Sequence, residues 1–88
     1  MFEGDVMKRY DIATRVLVDF EPGIGAKPAF FICASGTRAK VDRIIKKDEA
    51  RWGFRSFTRY FLEFGGRFAE LYWDRTRDKW ILVKEGRM

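Results

Sequence analysis

Residues 58–83 read TRYFLEFGGRFAELYWDRTRDKWILV, and this stretch determines the fold that we expect. Gly65-Gly66 lies between two runs in which apolar residues alternate. This is the pattern of a two-residue hairpin turn, whose central residues both need positive φ. A second, polar turn follows at residues 74–78. The stretch therefore predicts three antiparallel strands joined by two tight turns.

The two turns also predict which residues stand opposite each other and share a face. The expected pairs are Phe64 with Arg67, Leu62 with Ala69, Tyr60 with Leu71, Thr58 with Trp73, Trp73 with Trp80, Leu71 with Leu82, and Asp74 with Lys79. One face should form the core, with Tyr60, Leu62, Phe64, Ala69, Leu71, Trp73, Trp80 and Leu82. The second face mixes aromatic and charged residues: Arg59, Phe61, Glu63, Phe68, Glu70, Tyr72, Ile81 and Val83. It is too apolar to be plain solvent surface, so we expect something to cover part of it.

The chain before this stretch predicts further strands. Residues 13–20 alternate as a first strand, residues 21–28 form a Pro- and Gly-rich loop, and residues 29–35 form a second strand. Residues 38–47 are a third strand, with a helix over 38–51 as the main alternative. Pairing across Gly36-Thr37 would place Ala34 opposite Ala39, and Phe30, Ile32 and Val41 in the core. Ile44-Ile45 breaks the alternation, which indicates a bulge or a strand end. Residues 48–57 suggest a loop or one helical turn, whose aromatics, Trp52 above all, we expect to cover part of the second face.

Together these segments predict an all-β fold. We expect an antiparallel meander of about six short strands, curled into a small SH3-like or partly open barrel. A flat sheet that dimerises through its second face is the alternative. The expected organisation is a flexible N-terminus over residues 1–12 and one β domain over residues 13–85.

Composition excludes several classes of site. The chain has one cysteine and no histidine, which excludes zinc fingers, disulfides and most pairs of nucleophile and base. Cys33 lies in an apolar run, so we expect a buried thiol. No apolar run is long enough to span a membrane, and the N-terminus lacks the pattern of a signal peptide. We therefore expect a cytoplasmic protein with no metal, no cofactor and no membrane partner.

No catalytic motif is present. Glu63 and Glu70 share a face in the predicted register, but charged cross-strand partners are far more common than a catalytic pair in a dry cleft. The Gly-x-Gly at residues 23–25 lacks the following helix and the Lys-Ser/Thr pair of a phosphate loop. We expect no catalytic residues and a protein that is not an enzyme.

Basic and aromatic residues alternate in the middle of the chain. Residues 38–59 hold eight basic and three acidic side chains, a net charge equal to the +5 of the whole chain. Cations neutralise phosphates and rings stack on bases, so this combination favours single-stranded nucleic acid or a nucleic-acid-handling protein as the partner. The predicted binding residues are Arg38, Lys40, Arg43, Lys46, Arg51, Arg55 and Arg59 for phosphates, and Trp52, Phe54 and Phe61 for stacking.

The same composition is typical of protein interfaces, where Trp, Tyr and Arg are enriched. The second hypothesis is therefore a protein-interaction module or homodimer without nucleic-acid binding. It would use Phe61, Phe68, Tyr72 and Ile81.

Several residues from Pro28 onward resemble a family of small bacterial domains that are rich in Trp and Arg. The matching residues are Pro28 with Phe30 or Phe31, Gly36, Val41, Ile44, Trp52, Arg59-Tyr60-Phe61, Glu70-Leu71-Tyr72 with Asp74, and Trp80 with Leu82. Members of that family are encoded beside, or fused to, Y-family translesion polymerase-like proteins. The chain departs from the pattern at residues 36–39 and 51–54. The resemblance implies an accessory role in DNA repair and no catalytic residues.

Overall fold

The computed structural model describes residues 7–23 and 25–87, and most of these residues lie in β-strands. The strands are β1 (Lys8–Thr14), β2 (Val16–Glu21), β3 (Gly25–Ile32), β4 (Arg38–Lys40), β5 (Arg43–Trp52), β6 (Arg55–Phe64), β7 (Arg67–Asp74) and β8 (Lys79–Gly86). The all-β prediction is confirmed. In the described part of the chain, no helix is long and apolar enough to cross a membrane.

The strands form two antiparallel sheets. The large sheet has five strands in the order β1-β8-β7-β6-β5, and the small sheet has three in the order β2-β3-β4. The antiparallel prediction is confirmed, but the two sheets are not closed into a barrel. The chain passes from one sheet to the other at Arg15 and at Val41-Asp42.

The register predicted for β6, β7 and β8 is confirmed. Phe64 pairs with Arg67, Tyr60 with Leu71 and Trp73 with Trp80. Gly65 and Gly66 both have positive φ, 53° and 77°, as a tight hairpin turn of this kind requires. The predicted core face is also confirmed: Tyr60, Leu62, Phe64, Ala69, Leu71 and Leu82 are buried, and Trp73 and Trp80 pack against them.

The small sheet covers this core face. The ring of Phe31 meets that of Phe64 edge to face, with centroids 5.0 Å apart. The hydroxyl of Tyr60 donates to the carbonyl oxygen of Ala26 at 3.3 Å. Because Phe31 is almost fully buried, the two sheets share one core, and the second face of the large sheet points away from it.

Two bent strands explain why about six strands were expected and eight are found. The predicted first strand bends at Arg15, so β1 joins the large sheet and β2 the small one. The predicted third strand bends at Val41-Asp42 in the same way, dividing β4 from β5. Alternation of apolar residues continues through a bend, so the pattern does not reveal it. β1 begins at Lys8, within the segment expected to be flexible, and residues 1–6 lie outside the described residues.

The register predicted for the small sheet is wrong. Residue 39 was expected opposite Ala34, but Phe31 pairs with Ala39. The loop is longer than the two residues assumed, since the backbone N–H of Cys33 donates to the carbonyl oxygen of Thr37 at 2.9 Å. A shift by an odd number of residues exchanges the two faces of a strand. Phe31 therefore enters the core in place of Phe30 and Ile32.

The segment around residues 43–57 is a long hairpin. β5 continues as one strand to Trp52, and Gly53-Phe54 forms the turn to β6. The alternatives of a helix over residues 38–51 and of a loop or helical turn over residues 48–57 are therefore wrong. Gly53 has a φ of 63°, which glycine adopts at no steric cost. The bulge indicated by Ile44-Ile45 is confirmed, because the register shifts between Ile44 and Lys46.

Truncating a side chain to alanine should lower the free energy of unfolding far more in the core than on the edge strand β5. Leu71 is fully buried between the two sheets, so Leu71→Ala should lower the free energy of unfolding by about 2–5 kcal/mol. Ile45→Ala, at an exposed position on β5, should cost less than about 1 kcal/mol. Urea denaturation followed by tryptophan fluorescence measures both. Equal losses would contradict this assignment of the core.

Candidate functional site

The ten residues predicted to bind nucleic acid occupy three different places. Arg38 and Lys40 lie on β4 in the small sheet. Arg43, Lys46, Arg59 and Phe61 lie along β5 and β6, toward the middle and far end of the second face. Arg51, Trp52, Phe54 and Arg55 lie at the β5–β6 turn. The structure thus does not bring the predicted set together into one surface.

The cations in the middle of the second face are paired with acids. Arg59 makes two hydrogen bonds to Asp48, at 2.7 and 2.9 Å. Lys46 approaches the same carboxylate at 3.9 Å, and Arg43 pairs with Glu63 at 3.0 Å. The hydrogen bond from Arg59 lowers the pKa of the Asp48 carboxyl, against a smaller opposing effect of burial. Asp48 and Glu63 therefore neutralise part of this charge, while the side chains of Lys46 and Arg43 stay 72% and 66% exposed.

The aromatic residues of this face pack on one another. Phe61 and Phe68 are stacked with an interplanar angle of 8° and centroids 5.8 Å apart. Tyr72 and Ile81 are half-buried on the same face. Within residues 7–23 and 25–87, no strand lies over this face, so the cover that we expected comes only from its own side chains.

Two turns meet at one end of the large sheet. The backbone N–H of Ser56 donates to Thr76 Oγ1 at 3.0 Å, and the N–H of Arg75 donates to the carbonyl oxygen of Ser56 at 2.9 Å. These bonds join the start of β6 to the turn between β7 and β8. We call this region the hairpin end, and it consists of Arg51, Trp52, Phe54, Arg55, Arg75, Arg77 and Lys79.

A buried carboxylate organises the hairpin end. Asp74 is 1% exposed and accepts a hydrogen bond from Arg55 at 2.7 Å. Its other oxygen accepts from the backbone N–H groups of Thr76 and Arg77, at 3.1 and 3.2 Å. Burial raises the pKa of this carboxyl, but the bonds from Arg55 and the backbone outweigh burial and the pKa lies below its ordinary value. The carboxylate therefore holds Arg55 and the turn in a fixed arrangement.

Two aromatic rings are exposed at the hairpin end. Phe54 is 98% exposed at the turn. Trp52 is 52% exposed and packs on the buried ring of Phe57, with centroids 4.6 Å apart, and on Tyr72 at 6.0 Å. Our expectation that the aromatics of this segment cover part of the second face is confirmed for Trp52. One side of its ring is packed, and much of the ring stays open to solvent.

Cations without an acidic partner also lie at the hairpin end. Among the described residues, Arg51, Arg77 and Lys79 are exposed and form no ion pair. Arg75 pairs with exposed Glu49 at 3.0 Å, a contact that solvent screens. Sequence reasoning missed Arg75, Arg77 and Lys79, because it interpreted residues 74–78 only as a turn. A prediction of the β5–β6 hairpin would have placed the two turns side by side.

The cations of the small sheet lie elsewhere. Arg38 covers the ring of Phe30, with its guanidinium carbon 4.8 Å from the ring centroid. Arg38 and Lys40 line a groove beside the loop at Cys33 and the Gly65-Gly66 turn. β5 and β6 run ten residues from the hairpin end to this turn, or about 30 Å at 3.3 Å per residue. These cations therefore cannot act together with Arg51 and Arg77 on a short ligand.

Cys33 is buried, as expected. Its sulfur lies 3.2 Å from Ser35 Oγ and 3.1 Å from Thr37 Oγ1. Burial raises the pKa of the thiol, but hydrogen bonds with Ser35 and Thr37 outweigh it and lower the pKa. Among the described residues, no group of three or more potential ligands could hold a metal ion.

Comparison with protein-family models, curated proteins and solved structures finds no match to this chain. The resemblance to the small Trp- and Arg-rich bacterial domains therefore stays a prediction. Any function must be argued from the geometry of the site.

Removing the charge of Asp74 should destabilise the protein. Asp74→Asn loses the charged bond to Arg55 and should lower the free energy of unfolding at pH 7 by about 1.5–3 kcal/mol. Because the pKa of the folded carboxyl is depressed, its stabilisation is complete above the unfolded value of about 3.9. It is lost as pH falls through the lower folded value. Stability should therefore fall less steeply below about pH 4 in the variant than in the wild type.

Asp78→Asn is the matched control, in the same turn. Asp78 has a φ of 55°, which asparagine tolerates well, so its urea midpoint should barely change. If Asp74→Asn were as stable as Asp78→Asn, the carboxylate would not organise this end of the sheet.

Proposed function

We propose that this protein is a non-catalytic module that binds single-stranded nucleic acid through the hairpin end. The observation that carries the proposal is the position of Phe54. Its fully exposed ring stands at a turn that is hydrogen-bonded to a second turn, between Arg51 and Arg55. A large apolar side chain in such a position is explained by a ligand that covers it.

The cations of the hairpin end suit a phosphate backbone. Within residues 7–23 and 25–87, Arg51, Arg77 and Lys79 form no ion pair, and the pair of Arg75 with Glu49 is open to solvent. Arginine binds two phosphate oxygens through its planar fork. Three or four contacts of this kind predict a log–log dependence of affinity on salt of about −2 to −3 for a single strand.

The two exposed rings suit unpaired bases. A base can stack on Phe54 or on the open side of Trp52 because every base has a flat π-face, and each such contact is worth about 1–3 kcal/mol. Bases of a duplex are already stacked on each other and offer no face. The proposed ligand is therefore single-stranded DNA or RNA, bound without strong sequence preference.

This ligand agrees with the resemblance described above. Single strands are exposed when a damaged template is copied, so the proposed role is that of a cytoplasmic accessory to DNA repair. The sequence resemblance supports this role, and the geometry supports only the class of ligand.

The second face of the large sheet favours a different partner. Its cations are paired with Asp48 and Glu63, and its rings are only half-buried. A face of this kind suits a protein surface better than a polyanion. The second candidate function is therefore a protein-interaction module that uses Phe61, Phe68, Tyr72 and Ile81.

Binding of a fluorescein-labelled oligo(dT) of about 15 nucleotides, followed by anisotropy, separates the two candidates. Phe54→Ala should weaken binding by about five- to 150-fold, the equivalent of one stacked base. Arg51→Ala and Arg77→Ala should each weaken binding and make the salt dependence less steep by about 0.7.

Arg43→Ala is the matched control for Arg51→Ala, because both residues lie on β5 and Arg43 is paired with Glu63 at its other end. Arg43→Ala and Phe61→Ala should bind like the wild type. The proposal would be overturned by no binding at low salt, or by losses confined to Arg43→Ala and Phe61→Ala.

A further inference from the structure

Exposed apolar side chains are concentrated in one short segment. Seven large hydrophobic residues of the described chain are exposed, and four of them, Ile12, Leu17, Val18 and Phe20, lie within nine residues. Three of these four belong to β2, whose Leu17 is 58% and whose Phe20 is 75% exposed. β2 forms one edge of the small sheet, with β3 on its other side.

The edge at β2 is not protected as the edge at β5 is. β5 carries Lys46 and Lys47 and contains a bulge, and charged residues and bulges both discourage pairing with another strand. β2 contains no lysine, arginine or proline, and its charged residues are Asp19 and Glu21. The irregularity in its pairing falls on β3, where Ala29 is the extra residue between Phe30 and Pro28, so the backbone of β2 stays regular.

We propose that β2 pairs with β2 of a second copy of this chain. The two strands would run antiparallel about a two-fold axis at Val18. Residues opposite each other would then share a face. Val18 would meet Val18 of the second copy, and Val16 would meet Phe20 twice. This pairing would extend the small sheet from three strands to six and cover the exposed side chains of Val18 and Phe20.

Charge favours this partner and this register. The axis at Val18 places Arg15 opposite Glu21 at both ends of the strand pair. Arg15 forms no ion pair within the described residues, and Glu21 is held only by Lys27 in an exposed pair at 2.9 Å. An opposite-charge pair across two strands is stabilising. The ends of β2 are thus complementary to themselves when the strand is reversed.

The neighbouring registers are less favourable. An axis at Asp19 would bring two Asp19 carboxylates together, which is destabilising. An axis at Leu17 would bring Phe20 of the second copy to Thr14, where β8 already pairs through Trp80. Of the three, only the axis at Val18 has compatible charges and leaves the pairing of β1 intact.

Sedimentation equilibrium at about 10–1,000 µM tests the proposal, since a single strand pair buries little surface and makes a weak dimer. The wild type should be in monomer–dimer equilibrium within this range. Val18→Lys should be monomeric, because two like charges would face each other on the axis. Ile45→Lys, the matched change on the edge of β5, should dimerise like the wild type. A monomeric wild type, or equal effects of the two variants, would overturn the proposal.

Charge reversal tests the register even if Val18→Lys does not fold. Arg15→Glu and Glu21→Arg should each weaken the dimer by about tenfold, the equivalent of about 1.4 kcal/mol. The double variant should restore it, because each end again has opposite charges. Two losses that add together in the double variant would exclude this pairing.

A cross-link gives an independent test. Val18→Cys in a Cys33→Ser background should form an intermolecular disulfide on mild oxidation, because paired strands place the two Cα atoms about 4.5–5.5 Å apart. Ile45→Cys in the same background should form no intermolecular disulfide. The opposite result would place the interface elsewhere.

Discussion

The hairpin end depends on one buried carboxylate. Asp74 receives hydrogen bonds from Arg55 of β6 and from two backbone N–H groups of the turn that follows β7. A charge removed from water is tolerated only when such bonds replace its hydration. The two turns of the large sheet consequently adopt one relative position. The exposed cations and rings of the proposed site lie on the strand ends and turns that these bonds join.

How much could be predicted from the sequence varies along the chain. The β6–β8 register follows from Gly65-Gly66 and from strict alternation, and both are local signals. The bends at Arg15 and Val41 have no local signal, because a strand keeps its alternation when it passes between sheets. The register predicted for the small sheet depended on the length of the loop between β3 and β4. Because that length was underestimated, Phe30 and Ile32 were predicted in the core instead of Phe31. The meeting of the two turns follows from the β5–β6 hairpin, which the pattern of residues 48–57 did not reveal.

The cations predicted as one surface have two different roles. Arg43 and Arg59 are paired with carboxylates across neighbouring strands and stabilise the second face of the sheet. Arg51 lies near the end of β5 and Arg77 in the turn between β7 and β8, and neither forms an ion pair within the described residues. The sequence contains both kinds at similar spacing, so composition alone cannot separate them. Sorting the cations by their acidic partners limits the proposed phosphate-binding residues to one end of the sheet. The second face is left for the alternative partner, another protein.

The central claim is that the two joined turns form the surface that contacts the ligand. A ¹H–¹⁵N correlation spectrum recorded during titration with unlabelled oligo(dT) tests it most directly, because the backbone amides are observed throughout the folded chain. We expect the largest chemical-shift changes at the amides of residues 51–55 and 75–79, and little change at residues 38–40 and 59–61. Changes centred on residues 38–40 or 59–61, or an unchanged spectrum at low salt, would contradict it.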